Sequence, residues 1–179
     1  MSEYKLKSFP FFSQYKDISE EEYKKKACGV VSLAMVLRYF DKNSPSPDEL
    51  LKEGLKINGL VGVGWKHTSL AILSRNNGLA CYLQEFLSHK DLPDEEKKLR
   101  VFGIEKIMDS IKQEKPILVS IMNEGRGSHI VVVTGFVERD GKCEKIFYYD
   151  PELNEKGVEV EAEKFMEIWR GLCIFFEKY

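Results

Sequence analysis

The 179-residue chain has no long hydrophobic run. No stretch approaches the roughly 18 apolar residues that a membrane span requires, and the opening Met1-Ser2-Glu3-Tyr4-Lys5-Leu6-Lys7 has no apolar core behind its charges. A protein that is neither exported nor membrane-bound is expected. Cysteine patterning is also missing: the four cysteines, Cys28, Cys81, Cys143 and Cys173, lie far apart with no C-x-x-C pair. That excludes a disulfide framework and a zinc ribbon and points to a reducing, cytoplasmic compartment. The chain has little excess charge, with 27 Lys+Arg against 29 Asp+Glu and a net charge of -2, so no electrostatic footprint for nucleic acid is present. Proline (six) and glycine (thirteen) are too scarce for collagen or low-complexity sequence. With 43% hydrophobic residues, the composition fits one domain over residues 1–179 with a core of its own.

Residues 27–40, A-C-G-V-V-S-L-A-M-V-L-R-Y-F, are apolar on nearly every side and predict a helix buried on most of its surface. Ser46-Pro47-Asp48-Glu49 combines a capping serine, a proline at the first helical position and a glutamate three residues after the cap. A short helix carrying Leu50, Leu51 and Leu55 should follow. A glycine-rich loop is expected over 58–64, then a helix over 66–76 closed by Gly78. Leu79, Cys81 and Leu83 alternate as in a strand. Residues 88–100 are so charged that a surface loop or an exposed, frayed helix is expected. Ile104, Ile107, Met108 and Ile111 recur at helical spacing ahead of Pro116. Strands follow over 117–122, 130–137, 145–149 and 158–160, with Asp140-Gly141 as a hairpin turn. A helix over 163–170 capped by Gly171 and a strand over 172–176 complete the chain. Helices first and mostly antiparallel strands second make the class α+β.

Four residues stand out chemically. Cys28 falls at the first turn of the buried helix, where unpaired N–H groups and the helix dipole favour an anion, and Lys24, Lys25 and Lys26 precede it. Such surroundings suit a thiolate nucleophile, although a small apolar residue at a helix start would look the same. His129 opens an apolar strand after the flexible-looking segment 123–128; imidazole trades protons readily near neutrality. Asp150 ends a strand before Pro151. If 129 and 150 belong to a hairpin turning at Asp140-Gly141, antiparallel pairing brings them together, and the carboxylate can orient the imidazole. Gln14, the one glutamine upstream of Cys28, is either an exposed loop residue or a side-chain donor for an oxyanion beside the Cys28 backbone N–H.

Together, Gln14, Ala27-Cys28-Gly29-Val30-Val31-Ser32-Leu33-Ala34-Met35, Gly127-Ser128-His129-Ile130-Val131-Val132-Val133-Thr134-Gly135-Phe136 and Tyr148-Tyr149-Asp150-Pro151 resemble the C39-like cysteine peptidases of the papain-like superfamily. The resemblance runs from about Phe9 to Pro151 and is to the free-standing members of that group. It implies a papain-like fold with a buried central helix on a mostly antiparallel sheet. It also implies Cys28 as nucleophile, His129 as general base, Asp150 as its orienter and Gln14 as oxyanion donor. The expected activity is hydrolysis of a peptide or other amide substrate through a thioester. Two alternatives share these residues: an acyltransferase of transglutaminase type, and a catalytically silent module that binds peptides in the same groove.

Other signals carry less. Gly59-Leu60-Val61-Gly62-Val63-Gly64-Trp65-Lys66 nearly spells a phosphate-binding loop, but Trp65 interrupts the required spacing. A cleft wall is the better reading, with Trp65 packing or touching substrate. His67 is a rival base at a helix start. Neither it nor His89 has a Cys or His at ligand spacing, so no metal and no cofactor is expected. Cys81 and Cys173 lie in apolar strand patterns and should be inert, and Cys143 should be exposed but ordinary.

Overall fold

A computed structural model describes residues 1–62, 64–88, 92–123, 127–153 and 157–178. In chain order the elements are β1 (Ser2–Lys5), α1 (Glu21–Lys24), α2 (Cys28–Phe40), α3 (Pro47–Lys56), β2 (Leu60–Val61), β3 (Gly64–Trp65), α4 (His67–Asn76), β4 (Ala80–Glu85) and α5 (Pro93–Lys112). There follow β5 (Ile117–Asn123), β6 (Gly127–Arg139), β7 (Lys142–Tyr149), β8 (Val158–Glu161), α6 (Ala162–Ile168) and β9 (Trp169–Glu177).

The near-absence of polar side chains along α2 decides where that helix goes. Every residue from Cys28 to Leu37 is buried, because a helix with no polar face gains from being covered all round. The one hydroxyl within that buried stretch does not go unpaired. Ser32 Oγ donates to the Ile130 carbonyl at 3.0 Å, stitching the helix to β6 one turn after Cys28 and one residue past His129. Helix α3 starts with the expected reciprocal cap. The Ser46 hydroxyl accepts from the Glu49 backbone, and the Glu49 carboxylate accepts from the Ser46 backbone. Helix α4 ends at Gly78, whose φ of 77° is open to glycine at little cost.

The main sheet runs β4-β9-β5-β6-β7-β8, every pairing antiparallel, and β1 adds to the far half of β6. Asp140 and Gly141 both take positive φ, 51° and 78°, as the two-residue β6–β7 turn demands. Two bulges, one on each strand of that hairpin, cancel in register, so Val132 again faces Tyr149. Asp150 therefore arrives one step beyond, level with Val131 and two residues along β6 from His129.

Several expectations change. The segment 58–64 is not simply a loop, since β2 and β3 pair within it, Leu60 facing Trp65. Of the two readings of the charged stretch after residue 88, the exposed helix is the one found, from Pro93 on. Proline occupies the first turn with Asp94, Glu95 and Glu96, and Arg100 bonds Glu96 and the Trp169 carbonyl. His89 lies outside the described residues, as do residues 124–126 of the segment before His129. Gly171 caps no helix: it lies inside β9 where β5–β9 pairing is irregular, with φ of 71°. Strand β1 and helix α1 have no counterpart in the sequence reading.

Candidate active site

Cys28 is the first residue of α2 and only 6% exposed. The preceding Ala27 contributes no side-chain cap, so the helix's unpaired N–H groups and its positive end are left for another anion beside the thiol. His129 enters from β6, also 6% exposed. Its Nε2 lies 2.7 Å from Asp150 Oδ1 and donates to it, which leaves Nδ1 as the ring nitrogen for Cys28. The same Asp150 oxygen accepts the Glu152 backbone N–H at 2.8 Å, so the carboxylate is held from behind.

Gln14 reaches this corner through its backbone. Its N–H donates to the Pro151 carbonyl at 2.8 Å, fastening its loop to the residue after Asp150. The side chain is 1% exposed, and Oε1 has no hydrogen-bond partner among the described residues; the burial excludes the reading of an exposed loop glutamine. A neighbouring clamp reinforces the junction: Tyr15 Oη donates to Glu152 Oε1 at 2.8 Å, and Asn123 Nδ2 donates to Glu152 Oε2 at 3.0 Å. Ser32, Tyr15, Asn123 and Glu152 were not singled out by sequence reasoning. Only Ser32 had a visible signal, as a lone hydroxyl within an otherwise apolar helix.

Electrostatics separate the ionisable groups sharply. Burial works against charge on His129. The hydrogen bond to Asp150, the hydrogen-bonding contact and charge of Cys28, and the charge of Asp150 together outweigh it, raising the imidazole from 6.5 to about 9. His67 goes the other way: burial and the nearby Arg170 lower it, and Glu85 only partly offsets them. It stands at the start of α4, and its buried Nε2 lacks a partner among the described residues.

The remaining cysteines are in unreactive surroundings. Burial keeps Cys173 protonated well above its usual range and raises Cys81 as well. Cys143 is not exposed as expected. It is half-buried beside an apolar cavity of about 350 Å³ lined by Ile104, Met108, Ala162 and Met166, and burial pushes its thiol to about 12. All four cysteines are free. Among the described residues no group of three His, Cys, Asp or Glu side chains is gathered as for a metal ion, and no helix is long and apolar enough to cross a membrane.

The sequence model of the family described as Peptidase_C39 like matches residues 6–172. The chain belongs to the C39-like peptidase family. The fold of this C39-like chain is papain-like, shared with solved peptidase domains at low identity. A protein from Bacillus anthracis assigned as a C39-like peptidase superposes with a TM-score of 0.66 at 17% identity, covering 100% of this chain and 99% of that one. The peptidase domain of Streptococcus ComA, a bifunctional ABC transporter of a quorum-sensing pathway, gives 0.61 at 19% identity over 86% and 93% of the two chains. A double-glycine-motif protease from an AMS/PCAT transporter, solved with its leader peptide, gives 0.58 at 21% identity over 100% of both. No curated protein sequence matches the chain.

Proposed function

We propose that this C39-like domain is a cysteine peptidase whose triad is Cys28, His129 and Asp150. The observation that carries the reading is the imidazole of His129, held by Asp150 on one nitrogen and facing Cys28 with the other. Its raised affinity for a proton keeps an imidazolium beside the nucleophile, ready to give that proton to the leaving group. A peptide substrate is consistent with the leader peptide bound by the AMS/PCAT transporter protease.

The chemistry follows from the geometry. The Cys28 thiolate adds to a substrate carbonyl carbon, and the resulting oxyanion is held by the Cys28 backbone N–H and the Gln14 side-chain amide. As the C–N bond breaks, the departing amine takes the proton from the His129 imidazolium, leaving a thioester. Neutral His129 then accepts a proton from water, whose oxygen attacks the thioester; the thiolate departs and an acid is released. Asp150 keeps the ring oriented and favours its charged form throughout.

A peptide carrying a carbonyl electrophile tests the reading. At about pH 6, below the ordinary thiol range, mass spectrometry should find Cys28 modified well before Cys143. Modification of Cys143 first, with Cys28 untouched, would overturn it.

A further inference from the structure

Trp65, at the end of β3, is 5% exposed, and three glycines make room for its ring. A Cβ on Gly29 of α2 would stand 2.8 Å from Trp65 Cβ and Cγ. One on Gly54 of α3 would stand 2.4 Å from Cζ3, and one on Gly59 would lie 3.0 Å from the same carbon. While the indole holds its place, side chains at Gly29 and Gly54 are excluded. The indole N–H donates to the Lys26 carbonyl at 2.7 Å.

These contacts straddle Cys28, with the carbonyl two residues before it and the Cα one residue after it. The placement matters because Ala27 leaves the start of α2 without a side-chain cap, and an uncapped first turn tends to fray. The neighbouring Gly64 faces the opposite half of the site. A Cβ built there would have Ser128 Oγ at 3.7 Å as its one contact within 4 Å, and Ser128 precedes His129. The Gly64-Trp65 step thus reaches the Cys28 helix on one side and the His129 strand on the other.

We infer that Trp65 is a positioning residue: its indole, clamped between the Lys26 carbonyl and Gly29, holds the first turn of α2 so that the Cys28 thiol faces His129. The inference rests on the peptidase reading only for its turnover readout, because the geometry it concerns can be followed without substrate. The groups facing His129 are Asp150 and Cys28, and loosening the first turn of α2 weakens the second alone.

The experiment follows the His129 imidazole by NMR titration in the full chain. The set is wild type, Trp65→Phe, Cys28→Ala and, as a control of matched destabilisation far from the site, Ile111→Ala. Trp65→Phe keeps an aromatic ring but loses the donor to Lys26. Its His129 midpoint should fall from about 9 by about one pH unit, toward that of Cys28→Ala, while Ile111→Ala stays at the wild-type value. Alkylation of Cys28 by chloroacetamide should slow by about tenfold, and on a peptide substrate kcat should fall by a similar factor with KM little changed. Should Trp65→Phe not fold, Gly59→Ala adds a Cβ 3.0 Å from Trp65 Cζ3, from the Gly54 carbonyl and from Ser69 Cβ, so the ring must give by a few tenths of an ångström, and the midpoint should move the same way by less. A His129 midpoint equal to wild type in either folded variant, with melting lowered as in Ile111→Ala, would show that Trp65 only fills space. If the titration responds but wild type cleaves no peptide, the positioning stands and the peptidase reading fails.

Discussion

His129 and His67 are both drawn largely out of water, yet their imidazoles are driven in opposite directions. Burial opposes charge on each; what differs is the company. His129 gives Nε2 to Asp150 and faces Cys28, whereas the buried Nε2 of His67 meets no partner among the described residues and Arg170 stands near. Position near a helix or strand end does not make a histidine a base. Satisfied hydrogen bonds on both sides of the ring do.

The largest expected effect breaks this comparison outright. Cys28→Ala and His129→Ala should abolish covalent chemistry, and His67→Ala should turn over peptide as wild type does. The reverse result for the two histidines would transfer the role of base to His67. Next comes Asp150→Asn, which keeps a side chain of the same shape but removes the charge that favours the imidazolium. Turnover should fall by roughly 10⁴, with the protein still folded and some activity measurable. A loss much below that would mean that the charge of Asp150 is not what holds the ring in its catalytic state. Gln14→Ala should cost roughly 10² to 10³ in turnover with little change in thermal stability, since its Oε1 makes no hydrogen bond that folding depends on. Full activity in that variant would place the oxyanion donor elsewhere.

How much of this was legible in the sequence depends on whether each residue's environment is local or assembled from distant segments. Helix α2 and the cap of α3 were legible because periodicity and capping act within a few residues. The meeting of His129 and Asp150 was legible too, because a two-residue turn fixes hairpin register, and the two bulges happen to cancel. Strand β1 was not: its Ser-Glu-Tyr-Lys carries no alternation of burial, and only the backbone edge of β6 makes it a strand. The charged start of α5 looked frayed because its support, the Trp169 carbonyl held by Arg100, comes from across the fold. Cys143 misled for the same reason, since its polar sequence neighbours hide the apolar side chains of α5 and α6 that cover it. Trp65 was read as packing or substrate contact, and the glycines that receive it were not connected to it, because they lie on separate elements.

The smallest expected effect is on stability against pH, and it sharpens the same comparison. A base whose folded-state affinity for protons is raised, as in His129, adds stability that is fully present below its unfolded value near 6.5 and is lost as pH climbs through about 9. His67 is lowered, so between its folded-state value and 6.5 the unfolded chain binds more protons; its contribution therefore falls as pH drops below 6.5 and then levels off. The two slopes have opposite sign and meet near 6.5, each limited to about 1.4 kcal/mol per pH unit because each involves one proton. Urea unfolding at a series of pH values should show His129→Ala flattening the alkaline limb alone. His67→Ala should flatten the acidic limb alone, and by less, because its ring is less completely buried than that of His129. If His129→Ala leaves the alkaline limb as steep as in wild type, the imidazole does not hold its proton up to about 9, and its partners do not outweigh its burial.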